Sequence, residues 1–185
     1  EEEEEHSDTT SHSPEPDFPK TLNGRPYELF DHQREALMEW KAHDYQGIFR
    51  LATGAGKTLT AIHGAVSIVK QSNRKIVIVI AVPYQILADQ WYEVLKLFNL
   101  SAIRCYISKT KWQTALRSSL TNLKLIPEKT IVPIIVVNRT LQTPEFQECL
   151  ELVDEGSLFF IGDECHHHAS EAVLKALPKA RFKIG

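Results

Sequence analysis

The sequence predicts a doubly wound α/β fold, in which helices cover both faces of a mainly parallel sheet. After Lys75 at its start, the run of residues 75–82 is continuously apolar instead of alternating, as is the run of residues 132–137, which is typical of strands buried on both faces. Apolar strand-like runs alternate with helix-like segments along most of the chain. A glycine-rich phosphate loop, at residues 51–58, follows the first strand-like run.

The pattern of apolar residues places each element. Strands are predicted at residues 47–51, 75–82, 101–106, 132–137, 157–161 and 181–184. Helices are predicted at residues 31–43, 57–71, 84–98, 110–125, 144–154 and 170–177. Asp31 is expected to cap the first helix, because its carboxylate can accept a hydrogen bond from a free backbone N–H group.

The run from Leu51 to Thr58 has the composition of a loop that binds a polyphosphate. Its glycines let the backbone turn so that consecutive N–H groups point inward, and the following helix adds its positive end. Lys57 can reach phosphate oxygens, and the Thr58 hydroxyl can bind Mg²⁺. The predicted nucleotide-binding residues of the loop are Thr53, Gly54, Ala55, Gly56, Lys57 and Thr58. Leu51 departs from the general motif, which has glycine at that position.

A pair of carboxylates follows a second apolar strand. Asp163 and Glu164 come directly after the strand predicted at 157–161 and Gly162. We expect Asp163 to hold Mg²⁺, partly through water, because Mg²⁺ keeps much of its hydration shell. Glu164 is expected to orient the water that attacks the γ-phosphate. With Lys57, these carboxylates are the predicted catalytic residues of a nucleoside triphosphatase.

The first 19 residues differ in composition from the rest. They carry eight acidic and no basic side chains. Because the whole chain has a net charge of −3, residues 20–185 have a net charge of +5. We expect residues 1–19 to form a disordered acidic tail and residues 20–185 to form one domain. The basic balance of the domain is compatible with an anionic partner.

Three cysteines without metal-ligand spacing indicate reduced thiols in a cytoplasmic protein, or a nuclear one in a eukaryotic cell. The cluster from Cys165 to His168 has no second ligand cluster elsewhere, so zinc is not indicated. No apolar run is long enough to cross a membrane, and no signal peptide is evident.

The motifs together resemble those of superfamily 2 helicases of the DExH type, and more closely the type III restriction enzyme R-subunit and XPB-like group. The resemblance covers roughly residues 27–185. It rests on the form of the 51–58 loop, on Asp163-Glu164-Cys165-His166, and on the element from Leu29 to Leu37. It implies a RecA-like domain that uses ATP and Mg²⁺. It also implies that Gln33 reads the adenine edge, although Phe30 stands where the family usually has arginine; Phe30 or Tyr27 could stack on the base.

Two further motifs imply contacts to the nucleic-acid backbone. The run from Ala81 to Trp91 is similar to the family element "VPxxxLxxQW", and residues 136–141 occupy the place of another such motif. The residues implied are Pro83, Tyr84, Gln90, Asn138, Arg139 and Thr140. Helix packing explains Gln90, Trp91 and Leu87 equally well. The six basic residues between Arg104 and Lys129 fit either a DNA-facing surface or, more simply, a solvated helix face.

The resemblance implies an ATP-dependent DNA helicase or translocase, in a restriction or repair system. His166 is expected to couple the nucleotide site to the nucleic-acid motifs. Because the Ser/Thr-Ala-Thr coupling motif and the second RecA-like domain with its arginine fingers are absent from this sequence, we expect it to be the N-terminal motor domain of a longer protein, poorly active alone. The alternatives are an RNA-directed DExH helicase or double-stranded RNA sensor, a nucleotide-binding scaffold that does not hydrolyse ATP, and a P-loop kinase.

Overall fold

The computed structural model describes residues 15–51, 56–164 and 171–185. Its elements, in chain order, are β1 (Thr21–Leu22), β2 (Arg25–Pro26), α1 (Asp31–Ala42), β3 (Gln46–Gly47), α2 (Lys57–Ser72), β4 (Ile76–Val82), α3 (Gln85–Leu97), β5 (Ile103–Arg104), α4 (Lys109–Leu125), β6 (Ile131–Val137), α5 (Asn138–Leu141), α6 (Pro144–Leu150), β7 (Leu158–Gly162), α7 (Glu171–Ala176) and β8 (Phe182–Ile184). None of the helices within these ranges is both long and apolar enough to span a membrane.

Six strands form the main sheet in the order β3-β8-β7-β4-β6-β5. Every pair of neighbours in it is parallel. The long central strand β4 lies between β6 and β7, and its neighbours come from later parts of the chain. The parallel sheet predicted from the two continuously apolar runs is thereby confirmed.

Strand β4 shows why those runs do not alternate. Its odd and even residues belong to two different hydrophobic clusters, one on each face of the sheet. The first cluster contains Ile76, Ile78, Ile80 and Val82, and it packs against α1, α2 and α3. The second contains Val77, Val79 and Ala81, and it packs against α4, α5, α6 and α7. Since both faces are covered, each residue of the strand buries an apolar side chain.

The shortest elements depart most from the sequence-based boundaries. The strand predicted at 47–51 is reduced to Gln46–Gly47, and the one predicted at 101–106 to Ile103–Arg104. Both are edge strands of the sheet, so only one neighbour fixes their length. The ladder nevertheless continues past β3, because the Phe49 N–H donates to the Gly185 carbonyl at 2.9 Å.

Two small elements were not predicted. The first is the antiparallel hairpin of β1 and β2, whose turn residues Asn23 and Gly24 both have positive φ. Asn-Gly is a hairpin signal, but the two-residue strands beside it carry no alternating pattern to support it. The second is α5, a four-residue helix that is too short to show helical periodicity. In addition, α6 ends at Leu150 and not at residue 154.

The segment before residue 20 contacts the domain. The Asp17 N–H donates to the Phe98 carbonyl at 3.1 Å, and the Asp17 carboxylate pairs with Lys70 at 2.7 Å. The hydrogen bond from Lys70 is the main reason why the pKa of Asp17 is lowered. The Phe18 ring stacks on His63 at 4.4 Å. Contact with the domain thus begins before residue 20, the boundary expected from the sequence, whereas residues 1–14 lie outside the described part.

We expect His63 to make the stability of the domain depend on pH. His63 lies between Phe18 and Tyr27, whose hydroxyl is 3.0 Å from its Nδ1. Burial lowers the pKa of His63 below its ordinary value of 6.5. The unfolded chain therefore binds a proton more readily, so the free energy of unfolding should fall as the pH falls below about 6.5. Urea unfolding at several pH values should show this slope.

Substitution distinguishes the contribution of His63 to the pH dependence of stability from that of the other titrating groups. His63→Gln should flatten the slope, whereas His43→Gln, at an exposed histidine on the C-terminal cap of α1, should leave it unchanged. An equal slope in the wild type and in His63→Gln would show that His63 is not the group responsible.

Candidate nucleotide-binding site

Four sequence segments meet at one edge of the sheet. Val82 lies opposite Val137, and Ala81 lies opposite Gly162, so β4, β6 and β7 end side by side. Pro83, Asn138 and Asp163 are the residues that follow these three strands. Helix α2 begins at Lys57, beyond the end of β3. In a parallel α/β sheet this carboxyl edge is where ligands bind.

The end of the phosphate loop has the geometry that the sequence predicts. Gly56 precedes α2 in the left-handed conformation, with φ of 79°. The Thr60 N–H and hydroxyl both donate to the Gly56 carbonyl at 2.9 Å, which anchors the loop to the first turn of α2. Lys57 is exposed and Thr58 is partly buried. Thr53, Gly54 and Ala55 lie outside the described residues, so their assignment stays a prediction.

Gln33 braces this loop from the side of α1. Its side chain is only 3% exposed, and its Oε1 accepts a hydrogen bond from the Phe30 N–H at 2.9 Å. A Cβ added to Gly56 would collide with the Gln33 amide nitrogen. The positive φ by itself favours glycine at this position, and an added Cβ would also force the amide end of Gln33 to move. The adenine contact implied for Gln33 stays a prediction.

The start of α1 differs from the expectation for Asp31. The N-cap residue is Phe30, and Asp31 is the first residue of the helix, where it pairs with Arg34 at 2.6 Å. Gln33, and not Asp31, makes the capping contact with the backbone. The Phe30 ring is 68% exposed, whereas the Tyr27 ring packs edge-on against Phe98. Of the two aromatic residues considered for base stacking, Phe30 is the accessible one.

A cleft at this edge brings the predicted catalytic residues together. Lys57, Asp163 and Glu164 all line it, although Lys57 comes from α2 and the two carboxylates follow β7. Trp91 from α3 and Gly185 after β8 line the same cleft. The convergence of one lysine and two carboxylates from distant parts of the chain is the central feature of the site.

Asp163 is held by three hydrogen bonds. Its N–H donates to the Ala81 carbonyl at 3.0 Å, which continues the β4–β7 ladder by one residue. Its Oδ1 accepts the Glu164 N–H at 3.0 Å, and its Oδ2 accepts the Trp91 indole N–H at 2.8 Å. Glu164 itself has a positive φ of 51°, a conformation that non-glycine residues adopt rarely. The strand end thus turns sharply at Glu164 and presents both carboxylates to the cleft.

The sequence placed Trp91 in the Ala81–Trp91 motif, with helix packing as an equal explanation, but did not indicate its contact with Asp163. Trp91 is buried, with 3% of its surface exposed, and its N–H requires a partner there. An isolated buried tryptophan gives no indication in the sequence of which acceptor it reaches.

The donor set suits Mg²⁺. A hydroxyl (Thr58) and a carboxylate (Asp163) are hard oxygen ligands, and Mg²⁺ is commonly bound by one or two such groups together with substrate phosphates. No cluster of three histidine, cysteine or acidic residues that could hold a metal by itself is found in the ranges that the structure describes. A metal held jointly by protein and nucleotide is therefore the arrangement these residues fit.

The residues expected to contact nucleic acid follow β4 or β6 in the chain, and they differ in exposure. Tyr84, the N-cap residue of α3, is 57% exposed, and Gln90 is also exposed. Pro83 and Thr140 are partly buried. Arg139 is exposed, whereas Asn138 is only 8% exposed. Arg139 and Tyr84 are therefore accessible to a ligand, and Asn138 is placed among core side chains.

Several of the basic residues between Arg104 and Lys129 already have partners within the protein. Lys109 pairs with Glu145, and Arg117 pairs with Glu148 at 3.5 Å. The Arg104 guanidinium lies over the Tyr92 ring at 4.5 Å. These contacts favour a solvated helix face that packs against neighbouring elements.

The remaining expectations concern cysteines and the segment after Glu164. Cys105 and Cys149 are buried free thiols, and burial raises the pKa of Cys105. Cys165 and His166, including the coupling role expected for His166, lie outside the described residues, as do His167 and His168.

The comparisons with known proteins agree with this geometry. The family model for the type III restriction enzyme, res subunit, matches residues 26–185. A search of curated proteins gives no match. The structure of a nuclease-deletion mutant of the Type ISP restriction-modification enzyme LlaGI, in complex with a DNA substrate mimic, is similar with a TM-score of 0.66 and 19% identity. The match covers 85% of this chain and 17% of that one.

Two further structures are similar. The UvsW helicase from bacteriophage T4 has a TM-score of 0.56 and 19% identity, over 92% of this chain and 55% of that one. The Type ISP enzyme LlaBIII, bound to DNA, has a TM-score of 0.64 and 17% identity, over 86% of this chain and 12% of that one. This chain thus spans about half or less of each solved protein, and the six-stranded parallel sheet is their RecA-like fold. Since the family model covers most of its length, the chain belongs to the type III restriction enzyme, res subunit, family.

Proposed function

We propose that this chain is the ATP-binding RecA-like motor domain of a DNA helicase or translocase. The observation that carries the proposal is the cleft in which Lys57, Asp163 and Glu164 lie together. A loop lysine and strand-end carboxylates are the groups that phosphoryl transfer from a nucleoside triphosphate requires. Membership of the restriction-enzyme family supports a motor rather than a kinase.

The end of the phosphate loop binds the polyphosphate in this proposal. Lys57 reaches the β- and γ-phosphates from the first residue of α2, where the positive end of the helix also favours an anion. Thr53, Gly54, Ala55 and Gly56 supply backbone N–H groups. Gln33, wedged against Gly56, keeps the loop in its turned conformation and approaches the adenine edge.

Thr58 and Asp163 are the residues that would hold Mg²⁺, Asp163 partly through water. The ion, when bound, offsets the negative charge that builds up on the phosphates during transfer. The two hydrogen bonds to its carboxylate oxygens keep the Asp163 side chain from rotating away from the cleft, and the backbone bond to Ala81 fixes the strand end. The Asp163 carboxylate is thus oriented before the nucleotide binds.

Glu164 orients the attacking water and accepts its proton. Its position after β7, with positive φ, turns it towards the opening of the cleft. The bond between the γ-phosphorus and the bridging oxygen breaks as the water oxygen attacks, and ADP leaves. His166 is proposed to pass the state of this site to the nucleic-acid motifs.

A second RecA-like domain of the same protein is proposed as the partner across the cleft. Lys57 and Glu164 are exposed, so the described part of the site is open on one side. A second domain would close this side, exclude water and supply an arginine finger, which accounts for a large part of the rate in such enzymes. Nucleic acid would lie along the carboxyl edge, near Tyr84 and Arg139. The proposed location is the cytoplasm, or the nucleus of a eukaryotic cell.

DNA is the preferred substrate, because two of the similar structures are of enzymes bound to DNA or to a DNA mimic. The alternative is RNA, since DExH helicases of the RNA-directed kind carry comparable motifs. A scaffold that binds but does not hydrolyse ATP is less well supported, since Lys57, Thr58, Asp163 and Glu164 are all present.

Competition binding decides between DNA and RNA. A protein that joins this chain to its second RecA-like domain should bind a DNA duplex more tightly than an RNA duplex of the same sequence. Arg139→Glu should weaken binding and lower the salt dependence by about one unit of slope, because one phosphate contact is lost. Arg74→Glu is the matched control, since Arg74 lies before β4 at the opposite edge of the sheet. Tighter RNA binding would replace the DNA assignment, and an unchanged slope would remove Arg139 from the interface.

A further inference from the structure

Trp91 connects the hydrophobic core to the site through its indole N–H. It belongs to the cluster packed against the first face of the sheet, and it is 3% exposed. A buried indole N–H normally finds an acceptor, so the identity of the acceptor is the informative feature of such a tryptophan. Here the indole N–H donates to Oδ2 of Asp163 at 2.8 Å, and the ring also lines the cleft with Lys57.

The contact constrains the carboxylate at its second oxygen. Oδ1 of Asp163 accepts the adjacent Glu164 N–H at 3.0 Å, a local bond within the turn. Oδ2 is held by a residue from a different helix, so the two oxygens are fixed by two separate parts of the chain. A carboxylate has about four acceptor positions, so two remain for other ligands after these bonds are made. The carboxylate is thereby oriented, and it keeps acceptor positions with which it can bind a metal ion.

We propose that Trp91 is a positioning residue, which fixes the Asp163 carboxylate in the orientation that Mg²⁺ requires when it binds with a nucleotide. This proposal rests on the proposed function, because it concerns the same nucleotide site. Outer hydrogen-bond donors of this kind restrict a metal ligand to one orientation, so the ion does not bear the entropic cost of ordering it. A role in core packing alone predicts no particular effect on the metal.

The experiment measures the affinity of the protein for ADP by calorimetry, with Mg²⁺ and with a chelator in its place. Trp91→Phe keeps an aromatic ring in the core but cannot donate a hydrogen bond. The ratio of the two ADP affinities, which reports the contribution of Mg²⁺, should fall by about 10- to 100-fold, the usual effect of removing an outer partner of a metal ligand. The affinity for ADP without Mg²⁺ should stay within about twofold, since the phosphate loop is unchanged.

Trp112→Phe is the matched control. Trp112 is also buried, at 6% exposure, but it lies in the cluster on the other face of the sheet and packs against Phe146. It should leave both ADP affinities unchanged. In an Asp163→Asn background, Trp91→Phe should have no further effect on the Mg²⁺ contribution, because the two changes remove parts of one interaction.

The outcomes separate this proposal from the proposed function. If the wild type binds no ADP under either condition, the nucleotide site itself is refuted and the role of Trp91 with it. If the wild type binds ADP equally well with and without Mg²⁺, the metal site at Asp163 is refuted, and the role of Trp91 with it. If the wild type shows the Mg²⁺ contribution and Trp91→Phe retains it, only the positioning role is refuted. Equal losses of affinity with and without Mg²⁺ would assign Trp91 to packing and also overturn the proposal.

A second measurement does not depend on the folding of Trp91→Phe. The three indole N–H signals of the wild type can be followed by nitrogen-15 NMR. The signal that moves in the Asp163→Asn variant belongs to the indole bonded to that residue, and it should also move when Mg²⁺ is added to the ADP complex. A signal that responds to Asp163→Asn but not to Mg²⁺ would show that the contact is not linked to the metal.

Discussion

Glu164→Gln is expected to reduce ATP turnover by about 100-fold or more, the range usual for loss of a general base. The amide keeps the size of the side chain and its place after β7, but it cannot accept the proton of the attacking water. The measurement is steady-state ATP hydrolysis by a protein that contains this chain and a second RecA-like domain. Affinity for Mg-ATP should be unchanged or tighter, since one negative charge near the phosphates is removed.

The control is Glu151→Gln at the C-terminal cap of α6, an exposed glutamate on the other side of the sheet. It makes the same chemical change and should leave turnover unaffected. Turnover by Glu164→Gln at the wild-type rate would remove Glu164 from the catalytic role. Absence of turnover in the wild type, with Mg-ATP binding intact, would instead favour the scaffold alternative.

Lys57→Ala is expected to weaken the binding of ATP by about 10- to 100-fold, which corresponds to the loss of a hydrogen bond to a charged group. Lys57 is exposed at the first residue of α2, so its removal opens no cavity in the core. Calorimetry with Mg-ATP on this chain measures the affinity, and urea unfolding confirms that stability is retained.

Lys111→Ala provides the comparison for this change. Lys111 is an exposed lysine on α4, the helix that covers the opposite face of the sheet. The Lys111→Ala variant should bind Mg-ATP like the wild type. An effect confined to Lys57→Ala therefore reflects the phosphate contact and not a general loss of positive charge. Wild-type affinity in Lys57→Ala would refute the assignment of the loop as the phosphate site.

The central strands and the two motifs of the candidate site could be predicted because each is encoded by consecutive residues. Seven consecutive apolar residues in β4 indicate burial on both faces, whatever the neighbours are. Gly56-Lys57-Thr58 and Asp163-Glu164 are likewise motifs of adjacent residues, which can be recognised without knowing the fold. The structure places Lys57, Asp163 and Glu164 on one cleft, as the motifs implied.

The edges of the fold could not be predicted as well. Strand β3 has two residues, and its length depends on where β8 pairs with it, which is decided by residues near the other end of the sequence. The position of Phe18 depends in the same way on His63, which belongs to α2. Short elements bury little surface of their own, so their boundaries follow from tertiary contacts rather than from propensity.

By itself, then, the sequence determined the layered parallel architecture and which residues the candidate site contains, through the alternation of apolar segments and the loop and strand-end motifs. The tertiary structure alone decided the strand order, the burial of Asn138, the wedge of Gln33 against Gly56 and the bond from Trp91 to Asp163. The physical reason is that a local pattern fixes which side chains are apolar or charged and where the backbone can turn. A contact between distant residues depends on strand register and helix packing, which emerge only when the whole core is assembled.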